Sequence, residues 1–281
     1  CKKLLSAEIL KPSRALLPLI ILWLLRFRMN KTVLITGASS GLGKDFANLY
    51  AEKGYNLVLT ARREGNLKSI ASDLINKYNI SALIIPADLG EKEAPNKIFN
   101  FCEESNIKID ILVNNAGYGL TGEFDKISWE EHDTFINVLS TSAIALTRLF
   151  LPNMIDRKYG RVVNVSSVAA FAPYTNSGGM YIATKLMLLK FSEMIHNDYK
   201  SRNIYSCAVC PGFTHTEFHK DMKEFKSSIP SFMWMDSRKV VEQAYEASMS
   251  GKEIIINGWI YKILVFFMKI IPKWLVKLRS N

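Results

Sequence analysis

Between Lys31 and Ile256 the chain alternates two kinds of segment. Short, nearly unbroken apolar runs stand at Thr32–Thr36, Asn56–Ala61, Ala82–Pro86, Ile109–Asn114, Arg161–Ser166, Tyr205–Cys210 and Glu253–Ile256. A strand with one face in water alternates apolar and polar residues, so unbroken runs fit strands covered on both faces. The longer stretches between the runs carry apolar residues at helical spacing. Strand and helix in alternation predict an α/β fold, a doubly wound parallel sheet with helices on both faces. Neither an internal repeat nor a linker rich in Pro, Gly or Ser interrupts residues 29–258, so one domain is expected there.

With 281 residues, 48% apolar and 22% charged, the chain can bury a sizeable core and does not read as disordered. A formal net charge of +10 suggests a nucleic-acid partner until the charge is located. Residues 1–28 hold six Lys/Arg and one acid, residues 259–281 hold five Lys/Arg and no acid, and residues 29–258 hold 25 of each sign. A neutral body does not suit nucleic acid, so no such partner is expected.

The apolar run Ala15–Leu25 is shorter than the roughly 20 residues that span a bilayer. Residues 1–28 read either as a membrane-associated segment or as an extension upstream of a start at Met29, since the sequence opens on Cys1. At the other end, Lys262, Lys269, Lys273 and Lys277 share one narrow arc of an apolar helix bearing Trp259 and Trp274, with a kink expected at Pro272. Such a segment, 259–278, suits either peripheral contact with a membrane interface or packing on protein with its Lys stems reaching outward. Four Cys make no disulfide framework and point to a reducing compartment. The Cys207-x-x-Cys210 pair lies in a strand-like run, where packing is expected rather than redox chemistry.

The chemistry-bearing residues follow the strand ends. After the first run comes Thr36-Gly37-Ala38-Ser39-Ser40-Gly41-Leu42-Gly43, then a helical pattern from about Lys44. Glycines there permit a tight turn, let the backbone approach a pyrophosphate, and bring helix against strand, with the helix N-terminus facing the phosphate. Gly37, Ser39, Ser40, Gly41, Leu42 and Gly43 are the expected contacts. The second run ends Ala61-Arg62-Arg63, where a carboxylate would hold the 2′-hydroxyl of NAD. Ala61 cannot do so, whereas Arg62 can grip a 2′-phosphate, so the expected cofactor is NADP(H).

Asn114-Asn115-Ala116-Gly117, Ser166-Ser167 and Pro211-Gly212 close the fourth, fifth and sixth runs, and Tyr181-Ile182-Ala183-Thr184-Lys185 opens a helix. Strand carboxyl ends gather at one edge of a doubly wound sheet, so Ser167, Tyr181 and Lys185 can meet there. Tyr181 and Lys185, four residues apart, share a helix face. Hydride arriving at a carbonyl carbon leaves negative charge on the oxygen. Hydroxyl donors at Ser167 and Tyr181 would stabilise it, and Tyr181 would deliver the proton. A free phenol titrates at about 10, so Tyr181 needs a nearby cation to exchange protons near neutrality.

This combination of TGxxxGxG, NNAG, Ser, YxxxK and PG resembles the short-chain dehydrogenase/reductase family, over about residues 29–258. Within it the chain is most similar to bacterial-type reductases with a turn reading TGASSGLG and an Arg after the second strand. The resemblance implies a Rossmann-like fold and NADP(H)-dependent interconversion of a ketone or aldehyde with an alcohol. It assigns Ser167 to polarising the carbonyl, Tyr181 to general acid/base work, and Lys185 to lowering the Tyr pKa and holding the nicotinamide ribose. Asn137 matches the family's helix Asn that supports a proton-relay water. Asp88 and Leu89 would lie near the adenine, although Asp88 also reads as a helix N-cap. Asn115, Ala116 and Gly117 would line the cofactor cleft, and Pro211, Gly212, Thr214 and Thr216 would touch nicotinamide and pyrophosphate. The interval from Ser167 to Tyr181 is 14 residues, one longer than usual in the family, which leaves Ser166 in contention. Family members commonly form homodimers or homotetramers.

His215-x-Glu217-x-His219 is not the zinc-binding H-E-x-x-H, and no metal is expected. Residues Phe213–Met235, with Phe218, Phe225, Phe232, Met233 and Trp234, are expected to cover an apolar substrate pocket. A lipophilic carbonyl or alcohol is the expected small-molecule substrate, in the cytoplasm, with the tail at the inner face of a membrane. A non-catalytic NADP sensor or membrane-associated scaffold on the same fold is the alternative, against which the intact Ser–Tyr–Lys set argues.

Overall fold

The computed structural model describes residues 30–120, 122–172, 180–217 and 229–270. Residues 1–28, the aromatic Phe218 and Phe225, His219 and the tail beyond Ile270 lie outside them. All seven expected strands form: β1 (Thr32–Thr36), β2 (Asn56–Ala61), β3 (Ala82–Pro86), β4 (Ile111–Asn114), β5 (Gly160–Val165), β6 (Ile204–Cys210) and β7 (Ile254–Ile256). They make one parallel sheet in the order β3-β2-β1-β4-β5-β6-β7. Chain direction across the sheet reverses between β1 and β4, whose residues Val33, Leu34 and Ile35 pair with Ile111, Leu112 and Val113. The carboxyl ends of those two strands form the crevice where ligands bind in such sheets.

The unbroken apolar runs are explained by burial on both faces. One face packs on α1 (Gly41–Glu52), α2 (Glu64–Tyr78) and α7 (Ser237–Met249), through Phe46, Tyr50, Leu67, Leu74, Val241 and Ala244. The other packs on α3 (Ala94–Glu104), α5 (Ser142–Asp156) and α6 (Tyr181–Tyr199), through Ile98, Leu146, Phe150, Met154 and Ile195. Between α4 (Trp129–Ile136) and α5 lies a π-helical turn, Asn137–Thr141, inside one continuous helix.

Strand boundaries differ from the apolar runs where polar residues take over the backbone bonds. β4 starts at Ile111, because Asp110 below it brackets β1: its carboxylate accepts from Thr32 N at 2.9 Å. β5 ends at Val165, because Ser166 N turns to the Asn164 and Val209 carbonyls. α1 begins at Gly41, before Lys44, so Gly41 and Gly43 both lie in its first turn. Cys207 and Cys210 are both fully buried in β6, and burial pushes each thiol up to about 12, so neither supplies a thiolate.

The C-terminal helix α8 (Trp259–Ile270) does two things at once. Tyr261 and Val265 are buried on the body, while Trp259, Ile263, Phe266, Phe267 and Ile270 form an exposed apolar face. Lys262 and Lys269 are also exposed.

Candidate active site

The crevice between β1 and β4 is built by two loops that fit into each other. Gly37 takes φ +65°, and a Cβ there would stand 2.9 Å from Ala116 Cα. A Cβ on Gly43 would stand 2.2 Å from the Gly37 carbonyl oxygen, so helix and turn touch only because both residues are glycine. Thr36 Oγ1 accepts from Asn115 N at 2.9 Å and from Ala116 N at 3.0 Å, and Asn115 Nδ2 donates to Thr36 O at 2.9 Å. Asn114 instead serves the frame, donating to Asn164 Oδ1 at 2.8 Å across the sheet. Gly117 lies beside Lys185, whose Nζ would be 3.8 Å from a Cβ at that position.

The two arginines after β2 divide their contacts. Arg62 Nη1 reaches Asp88 Oδ2 at 3.9 Å on the outer rim. Arg63 turns inward: Nη2 donates to Ser40 Oγ at 2.7 Å and Ser39 Oγ at 3.2 Å, and Nη1 meets Glu217 at 3.3 Å. Arg63, which the strand-end pattern did not single out, is thus the arginine of the Arg62-Arg63 pair that contacts the glycine turn. Asp88 is not a helix N-cap. It accepts from Gly90 N at 2.9 Å within its own turn, and α3 begins after Glu93, with Leu89 buried between.

At the carboxyl end of β5 the two serines do different work. Ser166 Oγ donates to the Lys185 carbonyl at 2.7 Å and so fastens α6 to the sheet. Ser167 heads the 3-10 turn Val168–Phe171, accepts from Ala169 N at 3.1 Å, and hydrogen-bonds the Tyr181 phenol through its side chain. Lys185 is buried beneath them, its Nζ donating to Val165 O at 2.8 Å and lying 5.7 Å from the Tyr181 ring centre. Burial pushes the Lys185 ammonium down to about 8. Burial likewise raises the Tyr181 phenol above its usual value, opposed by the bond from Ser167. Any cation that activates the phenol has that burial to overcome first.

Asn137 begins the π turn, buried, with its amide 3.4 Å from both Gly90 O and Asp133 Oδ2. In the same turn Ser140 Oγ donates to Thr184 O at 3.1 Å, which ties it to the Tyr181–Lys185 helix face. π turns of this kind recur at functional sites, and nothing in the apolar spacing marks one here.

The turn after β6 closes the crevice. Val168 N donates to Pro211 O at 3.1 Å, joining Pro211–Gly212 to the Ser167 turn. Thr214 Oγ1 donates to Gly212 O at 3.0 Å, and Thr216 lies over Gly41, its Cβ 3.2 Å from where a glycine Cβ would be. His215 stacks on Trp234 at 5.1 Å, and Glu217 pairs with Arg63 at 3.3 Å.

A glycine cradle with no room for Cβ atoms, serine hydroxyls converging on an arginine, and a Ser–Tyr–Lys cluster one strand away fit a phosphorylated dinucleotide. Fold and site thus define a nicotinamide-dependent oxidoreductase. The family model of the short chain dehydrogenases matches residues 31–227, and the chain belongs to that family. It is an NADP(H)-dependent oxidoreductase acting on CH–OH and C=O groups. The chain is 29% identical to the very-long-chain 3-oxoacyl-CoA reductase of Rattus norvegicus, over 90% of this chain and 85% of that protein. It is 32% identical to the 3-oxoacyl-[acyl-carrier-protein] reductase of Aquifex aeolicus, over 82% of this chain and 97% of that protein. A short-chain dehydrogenase from Sphingobium yanoikuyae in complex with NADPH superposes with a TM-score of 0.76 at 28% identity, covering 86% of this chain and 96% of that one.

Proposed function

We propose that this protein reduces a lipophilic ketone, of the 3-oxoacyl thioester class, to the corresponding alcohol. The observation that carries the reductase part of this reading is the Ser167–Tyr181 hydrogen bond, with the buried Lys185 ammonium 5.7 Å from the Tyr181 ring centre. NADPH, held in the cradle when bound, would supply the hydride and leave as NADP⁺. Ser167 and Tyr181 then donate to the carbonyl oxygen as it gains charge, and Tyr181 passes it a proton. Lys185 holds the nicotinamide ribose and favours the phenolate left behind. Asn137, in its π turn, supports the water through which Tyr181 is reprotonated.

Cofactor contacts follow the cradle: Gly37, Ser39, Ser40, Gly41, Leu42 and Gly43 at the pyrophosphate, Arg62 and Arg63 at the 2′-phosphate, and Asp88 and Leu89 by the adenine. Asn115, Ala116 and Gly117 line the cleft, and Pro211, Gly212, Thr214 and Thr216 flank the nicotinamide side. Residues 29–258 form the catalytic unit, with 1–28 and 259–281 as extensions. Lipophilicity is supported by the apolar residues Phe213, Met233 and Trp234 on the stems that follow the Pro211–Gly212 turn, where Phe213 and Trp234 lie with ring centres 5.7 Å apart. It is also supported by the acyl substrates named for the rat and Aquifex relatives. The exposed apolar face of α8 with Lys262 and Lys269 supports peripheral contact with a membrane, from the cytoplasmic side, and the protomer is read as a member of a homodimer or homotetramer.

The test is NADPH oxidation by the full chain with 3-oxoacyl-CoA esters of graded length and a set of steroid ketones. Tyr181→Phe is expected to lower turnover by roughly 10²- to 10⁴-fold with NADPH binding nearly intact. Undiminished turnover in Tyr181→Phe would remove the assignment, and saturable NADPH binding without turnover of any ketone would favour a sensor.

A further inference from the structure

The C-terminal helix sends one polar group into the body beside the site. Tyr261 is 3% exposed. Its hydroxyl accepts from Phe213 N at 3.0 Å and donates to Met233 O at 2.7 Å. One phenol therefore joins the residue that leaves the Pro211–Gly212 turn to a residue on the returning stem. The two stems are paired just below: Met235 N donates to Phe213 O at 2.8 Å, His215 N donates to Met235 O at 3.0 Å, and Thr214 bridges Met235.

The ring is as informative as the hydroxyl. A Cβ on Gly212 would lie 2.0 Å from Tyr261 Cζ, so the turn can approach only because that residue is glycine. Phe213 meets the same ring edge-on, with centroids 6.4 Å apart. Gly258, at φ +78°, precedes the helix in a backbone conformation that L side chains rarely adopt, and a Cβ there would stand 3.2 Å from Met235 Sδ and 3.4 Å from Tyr261 Cδ2. Pro211 in turn accepts from Val168 N, next to Ser167. Hydrogen bonds thus join α8 through Tyr261 to the turn, and the turn to the backbone of Val168, the residue after Ser167.

We infer that Tyr261 is a positioning residue of the active site. It holds the Pro211–Gly212–Phe213 turn and Met233 in register, so that hydride transfer depends on how the C-terminal helix is seated. The inference rests on the reading above, in which this turn flanks the nicotinamide and Ser167, Tyr181 and Lys185 carry the reaction. Tyr261→Phe tests it, because the ring and its packing stay while both hydrogen bonds go.

The full chain would be assayed with NADPH and 3-oxododecanoyl-CoA, and with NADPH deuterated at the transferred position. The fluorescence emission of bound NADPH and the thermal midpoint would be recorded alongside. Loss of both hydrogen bonds predicts a fall in kcat of about tenfold, with KM for the ester within about twofold. The deuterium isotope effect on kcat should rise, and the emission of bound nicotinamide should shift. A lowered midpoint with kcat, isotope effect and emission unchanged would reduce Tyr261 to a packing residue and overturn the inference. If Tyr261→Phe does not fold, Gly258→Ala strains the seat of the helix while keeping the phenol, and wild-type emission and kcat in that variant would overturn it equally. Tyr181→Phe run in parallel separates the two levels. Its loss of turnover beside a wild-type Tyr261→Phe defeats the inference alone, while undiminished turnover in Tyr181→Phe defeats the reading beneath it.

Discussion

Replacing Lys185 by Met should abolish turnover and yet leave the protein no less stable at neutral pH. Lys185 is 4% exposed, and burial pushes its ammonium from the usual 10.5 down to about 8. At about 1.4 kcal/mol per pKa unit, keeping that charge in the folded state at pH 7 costs roughly 3 kcal/mol. Met removes the charge at similar volume but leaves the Val165 carbonyl, now 2.8 Å from Nζ, without its donor. An orphaned buried acceptor costs about 1–3 kcal/mol, so the net change at pH 7 lies between about zero and a gain of roughly 2 kcal/mol.

The pH dependence identifies the cause. Between about 8 and 10.5 the folded lysine binds fewer protons than the unfolded one, so wild-type stability rises with pH across that window. The Met variant lacks this gain, and its stability relative to wild type should fall by roughly 2 kcal/mol between pH 7 and about pH 10. Urea unfolding followed by circular dichroism at both pH values, without NADPH, measures the difference directly. A difference that does not change with pH would refute the reasoning, because it would show that the ammonium is not held at an electrostatic cost.

Four further outcomes are expected. In the direction of carbonyl reduction kcat/KM should be level at neutral pH and fall above about 8 as Lys185 loses its proton, since burial keeps the Tyr181 phenol protonated well beyond that; Lys185→Arg should move the fall upward in a pH–rate series. Arg63→Ala should weaken NADPH by about 10- to 100-fold and spare NADH, more than Arg62→Ala does, in paired titrations of both cofactors; equal losses for NADPH and NADH would detach Arg63 from the 2′-phosphate. Ser167→Ala should lower kcat by roughly 10²-fold. Ser166→Ala should mainly lower the thermal midpoint, since its hydroxyl holds the Lys185 carbonyl and not the phenol.

Much of this molecule was legible in the linear pattern. Strands buried on both faces must be apolar throughout, so all seven could be located by composition alone, and their alternation with helices allowed few topologies. The glycine turn was legible because its constraint is local: no other residue tolerates the approach of Gly43 to the Gly37 carbonyl. The fourfold spacing of Tyr181 and Lys185 fixed a shared helix face for the same reason.

What the pattern left open depended on contacts between distant segments. Whether Ser166 or Ser167 meets the phenol is decided by where Ser166 leaves the β5 ladder and which hydroxyl Lys185 O captures. Whether Arg62 or Arg63 turns inward is decided by the Ser39 and Ser40 hydroxyls, 24 and 23 residues away. Tyr261 carried no signal at all in an apolar tail, because its partners Phe213 and Met233 are 48 and 28 residues distant. Residue type and spacing set which strands and turns could form, since backbone sterics and burial act within a few residues. Only the folded chain decided which side chains meet, because a hydrogen bond is specified by both ends at once and the second end is supplied by tertiary structure.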